Sequence, residues 1–249
     1  MNEPPSASEN RVFIGGLWPS AVPATNRPPI RPTESCPRMS ERVIMLPASE
    51  SFARELPEAD LEDMTERAAA AVAELLAALR IAPDHNTTGT PMRVARMLVR
   101  EACAGRYTAP PDITIFPNTG NLDQLYTVGP ITVRSCCAHH LVPIIGQAWI
   151  GIIPGDSLMG LSKFHRLTEW VMARPIMQEE AVQDLADAIE RTIHPRGLGV
   201  IMRAQHFCCV WRGVRDAPTQ MVTSITHGLL REGRTAHSEF LALIRATGF

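Results

Sequence analysis

The chain has 249 residues, of which 45% are hydrophobic and 20% are charged, and these shares are close to globular averages. They exclude a wholly disordered chain, a collagen-like repeat and a coiled-coil rod. The 24 basic and 26 acidic residues leave a formal net charge of −2 at pH 7, so no strongly basic field favours nucleic acid as a partner. No apolar run approaches the roughly 18 residues that cross a bilayer, and no signal-peptide pattern opens the sequence. A cytoplasmic protein without a membrane partner is therefore expected.

The first 55 residues differ in composition from the rest of the chain. Eight prolines precede Met39, and no helical or strand period of apolar residues runs between them. Such a segment is expected to be a disordered or poorly ordered tail. An upstream start codon, with Met39 or Met45 as the true start, is an alternative origin of the tail. Residues 56–249 are predicted to form one domain, with a helical part over 56–110 and a second part over 111–249.

Two helices are predicted in the helical part. The first begins near Asp60, an acidic residue that suits a helix N-terminus, and apolar residues follow at helical spacing over 64–79. Thr90 and Pro91 fit the N-cap and the first helical position of a second helix, which is expected to reach about Ala104.

The second part of the chain alternates between strand-like and helical patterns. Strands are predicted over 126–128, 131–133, 148–153, 199–211 and 219–230, and helices over 163–173, 178–193 and 235–246. Helices, hairpin-like strands, further helices and further strands in this order predict an α+β fold, with an antiparallel sheet and packed helices.

Two clusters of cysteine and histidine suggest a metal site. Two cysteines and two histidines fall within residues 135–140, and a Cys and a His three positions apart can bend around one Zn²⁺ ion. The second cluster is His206-Phe207-Cys208-Cys209. Because alternate residues of a strand share a face, His206 and Cys208 are expected to point one way and Cys209 the other. Cys208 is therefore a candidate third ligand, with His206 beside it.

The number of ligands separates two kinds of zinc site. Three protein ligands leave a fourth position open to water, which is the catalytic arrangement, whereas four ligands close a structural site. Cys136 and Cys209 are the spare candidates for a fourth ligand. Buried, inert cysteines are the alternative to any metal site.

From about His85 to the C-terminus the sequence resembles the GTP cyclohydrolase I family. The matching motifs stand in the family's order: T-P-x-R-V-A at 90–95, C-x-H-H-x-x-P at 137–143, G-L-S-K-F-x-R at 160–166, R-P-x-x-Q-E at 174–179, H-x-C at 206–208 and R-G-V-R at 212–215. Any one of these motifs is a weak signal, and six in order are very specific.

The resemblance implies a tunnelling fold for the second, catalytic part, assembled as a homodecameric ring with active sites between subunits. It implies GTP as the substrate, with 7,8-dihydroneopterin triphosphate and formate as products, in the first step of pterin and folate biosynthesis. Carried over position by position, it implies that Cys137, His140 and Cys208 hold one zinc ion per subunit.

The implied chemistry needs water activation and proton transfer. Opening the imidazole ring of guanine adds water at C8 and then hydrolyses a formamide, and a three-liganded zinc lowers the pKa of its water to about 7. The resemblance assigns His139 as the proton donor to the leaving ring nitrogen, a task that suits a histidine. It assigns His206 to opening of the ribose ring, Ser162 to the ribose and the later rearrangement, and Gln178 to support of the base or the activated water.

Substrate recognition is assigned in the same way. A carboxylate can accept from the N1–H and 2-amino groups of guanine, and Glu179 is the matching residue. Its alternative role is helix-dipole stabilisation in a first turn. The triphosphate needs several cations, for which the candidates are Lys163, Arg166, Arg212 and Arg93. Lys163 is the chain's sole lysine, and its compact ammonium is not reproduced by an arginine fork.

One position departs from the family pattern, which usually reads Cys-Glu-His-His. Ala138 replaces the glutamate here, so the residues that tune the zinc ligands differ. Ala138 is the best support for an alternative function, a structural-zinc or catalytically weakened relative that binds nucleotide. A related tunnelling-fold enzyme that acts on another purine or pterin is a second alternative.

Overall fold

The structure is a computed structural model that describes Glu50 and residues 55–249. The predicted tail over 1–55 falls almost entirely outside the described residues, so the tail and the boundary after it stay predictions. Within the part that is described, every helix is too short or too polar to span a membrane.

The helical part contains both predicted helices. Helix α1 spans Glu58–Ala78 and α2 spans Thr90–Met97; a π-helical turn over Leu98–Ala102 and the short α3 over Ala104–Tyr107 follow. The start of α2 was predicted one residue late, because Gly89 occupies the N-cap position and Thr90 is already helical. The Thr90 amide donates to the Thr87 carbonyl oxygen across a backbone turn, so no side-chain cap is needed.

The buried face of α1 differs from the predicted one. The buried positions are Leu61, Thr65 and Ala69, in the half of the helix nearer its N-terminus. Leu75 and Leu79, which the helical period placed on the apolar face, are 56% and 60% exposed. The helical spacing of apolar residues correctly predicted a helix. The neighbouring elements determine which of its residues are buried.

The second part of the chain is built on a five-stranded sheet of order β5-β2-β3-β6-β7. The remaining elements are β1 Ile115–Pro117, β2 Tyr126–Cys137, β3 Pro143–Ile153, β4 Ser157–Met159, α4 Leu161–Met172, β5 Pro175–Ile176, α5 Gln178–Ile193, β6 Gly197–His206, α6 Phe207–Val210, β7 Met221–Gly228, α7 Leu229–Glu232 and α8 Arg234–Ala246. Neighbouring strands are antiparallel, except that β2 and β5 pair in parallel. The predicted α+β fold with an antiparallel sheet and packed helices is confirmed.

Helices cover both faces of the sheet. On one face, Ile150 and Ile152 of β3 pack in a core with residues of α4 and α5, including Phe164 and Leu185. On the other face, Trp149 packs with Phe240 and other residues near the C-terminus. Because successive strand residues point to opposite faces, a strand covered on both faces must be apolar throughout. This explains the continuous apolar run at the end of β3.

The predictions for four strand segments needed correction. The segments at 126–128 and 131–133 belong to one strand, β2, whose register shifts between Val128 and Ile131 around Pro130, which has no N–H to donate. The strand predicted over 199–211 ends at His206, and the chain then forms the helical turn α6. The strand predicted over 219–230 ends at Gly228, before α7. The amino-acid composition does not indicate where these strands end, because the hydrogen bonds between two paired strands stop where the shorter partner stops.

Two glycines make room for the last helix against the sheet. Gly151 of β3 and Gly199 of β6 are paired in register. A Cβ on Gly151 would lie 2.4 Å from Phe240 Cε2, and a Cβ on Gly199 would lie 2.6 Å from Phe240 Cε1. The Phe240 ring is fully buried between these positions.

We expect Gly151→Ala to lower the free energy of unfolding by about 1–3 kcal/mol, because the added methyl group overpacks the site of a buried ring. Urea unfolding followed by tryptophan fluorescence measures the change. Gly120→Ala is the control, since a Cβ there would meet nothing closer than Leu122 Cγ at 3.8 Å. Equal effects of the two substitutions would contradict the packing argument.

Candidate functional site

Strand pairing brings the two Cys/His clusters to one end of the sheet. Cys137 is the last residue of β2, and the chain turns back to begin β3 at Pro143. At the same end, Ile144 of β3 pairs with His206, the last residue of β6. The turn is held by two backbone hydrogen bonds, from Leu141 N to Cys137 O at 2.8 Å and from Cys137 N to Val142 O at 2.9 Å. Residues nearly 70 positions apart in sequence therefore meet.

Cys137, His140 and Cys208 form a group that fits a metal ion. Their ligand atoms all lie within 4.8 Å of one another. Cys137 Sγ is 3.9 Å from His140 Nδ1, close to the roughly 3.6 Å that tetrahedral bonds of about 2.3 Å to sulfur and 2.0–2.1 Å to nitrogen would give. Among the described residues, this is the group of His, Cys, Asp and Glu close enough to share an ion. Two sulfurs and one imidazole nitrogen are a donor set that suits zinc.

Burial and neighbouring thiols hold the proton on Cys208. Partial burial, a hydrogen bond with Cys137 and the adjacent Cys209 raise the pKa of the Cys208 thiol to about 11. A metal ion that binds Cys208 as a thiolate must therefore displace this proton.

The spare cysteines lie outside the group. Cys136 is buried on β2, and burial is the main cause that raises its pKa to about 11, with Cys103 and Cys137 adding to the effect. Cys209 hydrogen-bonds with the Cys208 thiol, but its sulfur does not belong to the group of three within the described residues. The described site therefore has three candidate ligands rather than four.

The predicted route of Cys208 to the site was wrong. Strand alternation placed His206 and Cys208 on one face, but β6 ends at His206 and Cys208 lies in α6. The ladder cannot continue, because its partner β3 begins at Pro143. The helical turn carries Cys208 towards Cys137, whereas His206 contacts Gln178 instead.

The adjacent histidine is close to the group but separate from it. His139 Nδ1 lies 4.0 Å from Cys137 Sγ. The rings of His139 and His140 are 6.3 Å apart at an interplanar angle of 73°. Since His139 is exposed and is not one of the three, its ring can face a substrate while His140 faces the ion.

A buried glutamine supports the other candidate acid/base. His206 Nε2 lies 2.8 Å from Oε1 of Gln178, which is the first residue of α5 and is 2% exposed. Burial lowers the pKa of His206, while the nearby Glu179 carboxylate acts in the opposite direction. The ring is therefore expected to be mostly neutral at pH 7.

The residues predicted to bind phosphate and ribose are not joined to this cluster. Ser162, Lys163 and Arg166 lie on α4, Arg93 lies on α2, and Arg212 is exposed after α6. Lys163 Nζ donates to the Asp112 carbonyl oxygen at 2.6 Å. Within the part of the chain that the structure describes, none of these five side chains hydrogen-bonds or forms an ion pair with the cluster.

Thr223 is a residue of the site that no sequence motif indicates. Its Oγ1 accepts a hydrogen bond from Gln178 Nε2 at 3.0 Å. Thr223 could be identified only from its pairing with Met202, and this pairing depends on the register between β6 and β7. That register is a property of the folded sheet.

The matching family model and the sequence relatives agree on one family. The family model of GTP cyclohydrolase I matches residues 68–245. GTP cyclohydrolase 1 of Mycobacterium bovis (strain BCG / Pasteur 1173P2) is 40% identical over 182 residues, which are 72% of this chain and 90% of the relative. GTP cyclohydrolase 1 of Yersinia pestis is 34% identical over 194 residues, 77% of this chain and 88% of the relative. A crystal structure of the archaeosine synthase QueF-Like in the apo form is 12% identical, with a TM-score of 0.33 over 48% of this chain and 97% of its own.

Proposed function

Because the chain belongs to the GTP cyclohydrolase I family of enzymes, we propose that it is a zinc-dependent hydrolase that converts GTP to 7,8-dihydroneopterin triphosphate and formate. The observation that carries the proposal is the approach of Cys137, His140 and Cys208 to within 4.8 Å of one another. Membership of this family also supports the tunnelling fold that the sequence resemblance implied. In this proposal the enzyme performs the first step of pterin and folate biosynthesis.

Cys137, His140 and Cys208 would hold the zinc ion. When bound by three protein ligands, zinc supplies Lewis-acid activation of water near neutral pH. The three residues come from a strand end, a turn and a helical turn, so each is fixed by a different backbone segment. The buried Cys137 anchors the inner side of the site, and the exposed His140 leaves the outer side accessible to substrate.

Two histidines would move protons. His139 stands beside the ligand group and would donate to the guanine ring nitrogen that leaves C8. His206 would serve as the second acid/base, at the opening of the ribose ring. Because burial lowers the pKa of His206, a neutral imidazole is available there to accept a proton. Ser162 would contact the ribose during the later rearrangement.

Glu179 would recognise the guanine base. It is exposed at the first turn of α5, one residue after Gln178, and is close enough to His206 to affect its pKa. A carboxylate in this position can accept from both N1–H and the 2-amino group. Four cations would bind the triphosphate: Lys163, Arg166, Arg212 and Arg93.

We also propose that a second copy of the chain completes the site, as in a homodecamer with active sites between subunits. The lack of a hydrogen bond or ion pair, among the described residues, between the candidate side chains of α4 and the cluster of a single subunit supports this. So does the exposure of apolar side chains after α6, where Trp211 is 70% and Val214 is 77% exposed. Native mass spectrometry gives the number of subunits. If the site is shared, mixing two inactive variants, Cys208→Ser and Arg166→Ala, should restore part of the activity.

The reaction itself tests the proposed function. The zinc-loaded protein, incubated with GTP, should release formate and give a pterin that fluoresces after oxidation. Formate by enzymatic assay and the pterin by chromatography should appear in equal amounts. Absence of both products from protein shown to contain zinc would refute the proposal.

A structural-zinc protein is the second candidate function. Ala138 favours it, because the carboxylate that usually stands beside the ligands is missing. In that case zinc would be required for folding rather than for turnover.

A further inference from the structure

The geometry points to Gln178 as a positioning residue that holds the ring of His206 in its Nε2–H tautomer and so leaves Nδ1 as the acceptor nitrogen. This inference rests on the proposed function, in which His206 is an acid/base. It assigns Gln178 a role that acts through His206.

The surroundings of the Gln178 amide fix its orientation. Its Nε2, which carries two hydrogens, lies within hydrogen-bonding distance of three acceptors: Met202 O at 3.2 Å, Met221 O at 3.2 Å and Thr223 Oγ1 at 3.0 Å. Backbone carbonyl oxygens accept and never donate, so two of these three partners require the NH₂ end of the amide. The reversed amide would set its oxygen against two carbonyl oxygens in a site where Gln178 is almost fully buried.

The orientation of the amide then fixes the proton on His206. Gln178 Oε1 is left facing His206 Nε2 at 2.8 Å, and an amide oxygen only accepts. His206 Nε2 must therefore carry the hydrogen, and in the neutral ring Nδ1 carries the lone pair. A histidine whose tautomer is set by a fixed partner presents one defined nitrogen to substrate.

The sheet holds the Gln178 side chain in place for its hydrogen bond with His206. Gln178 begins α5, and its three partners lie on β6 and β7, the strand that ends at His206 and its neighbour. The amide thus ties the start of the helix to the strand that carries the acid/base. A mainly structural role would stabilise this junction without selecting a tautomer, so the two roles differ in what they predict.

The tautomer can be observed directly. Full-length, zinc-loaded protein with ¹⁵N-labelled histidine, studied by solid-state NMR at about pH 8.5 where the ring is neutral, gives the shifts of both ring nitrogens. His206→Ala identifies the His206 signals. We expect Nε2–H as the sole tautomer in the wild type and a mixture of the two tautomers in Gln178→Met, which keeps a similar shape without the amide. An Nδ1–H tautomer in the wild type would overturn the inference, even if Gln178→Met does not fold.

A double-mutant cycle separates positioning from independent catalysis. In the wild-type background, Gln178→Met should lower kcat at least about 10-fold while changing the KM for GTP less than about 3-fold. In the His206→Ala background, it should cost less than about 2-fold. Equal losses in both backgrounds would contradict a role through His206.

The matched control is Gln183→Met, on the same helix. Gln183 is exposed, and its amide nitrogen donates to Asp187 at 2.7 Å. We expect unchanged kcat and unchanged His206 shifts in this variant. If the wild-type enzyme forms no pterin from GTP, the proposed function fails, and the NMR measurement still decides whether Gln178 sets the tautomer.

Discussion

Replacing Cys208 with serine is expected to abolish conversion of GTP, with a loss of about 10³-fold or more in kcat, while the fold is retained. The serine hydroxyl is a poor zinc ligand, so the group would keep two of its three donors. The several kcal/mol that a catalytic metal contributes correspond to a rate loss of this size. Zinc content by elemental analysis, kcat, and circular dichroism of the same preparation measure the three quantities.

The neighbouring thiol provides the control. Cys209 adjoins Cys208 but lies outside the ligand group of the described residues, so Cys209→Ser should retain zinc and turnover. Unfolding of Cys208→Ser together with loss of zinc would favour the structural-zinc function. Retained zinc with full turnover in Cys208→Ser would contradict the assigned ligand set.

The second large effect is expected from His139→Gln, with kcat reduced by about 10²–10⁴-fold and zinc retained. General acid catalysis contributes a factor of this size, and glutamine keeps a polar side chain that cannot deliver a proton in the same way. Since His139 is not in the ligand group, zinc content should match that of the wild type. Steady-state kinetics and elemental analysis test both statements.

His237→Gln is the matched histidine control. His237 lies on α8, which packs on the face of the sheet opposite to α4 and α5. The substitution should leave kcat within about 3-fold of the wild type. A His139→Gln enzyme with nearly normal kcat would remove His139 from the catalytic step. A His139→Gln enzyme without zinc would instead place His139 among the ligands.

Much of the architecture could be predicted from the sequence. The helix over 178–193 was predicted with the same ends that the structure gives, because its apolar residues keep one period from the first turn to the last. The strand predicted over 148–153 lies at the end of β3, where an apolar run is bounded by a turn. Patterns of this kind arise from local backbone geometry and burial of a face, and both are encoded by residues close together in the chain.

The ends of the strands could not be predicted in this way. The sequence at 206–211 has the composition of a strand, yet the strand stops at His206 because β3 offers no partner beyond Ile144. Because the strand ends there, Cys208 lies in a helical turn and not on the face of a strand. The same strand end also left Arg212 on the exposed segment that follows α6.

The sequence by itself determined the kinds of side chain available for chemistry: thiols and imidazoles at two places, a glutamine and a glutamate at the start of a helix, and scattered cations. Tertiary structure alone decided which of these meet. It joined Cys137, His140 and Cys208 into a ligand group, and it set the Gln178 amide against three acceptors on β6 and β7. The physical reason is that these contacts depend on sheet register and on where each strand ends, which are set by partners distant in the chain.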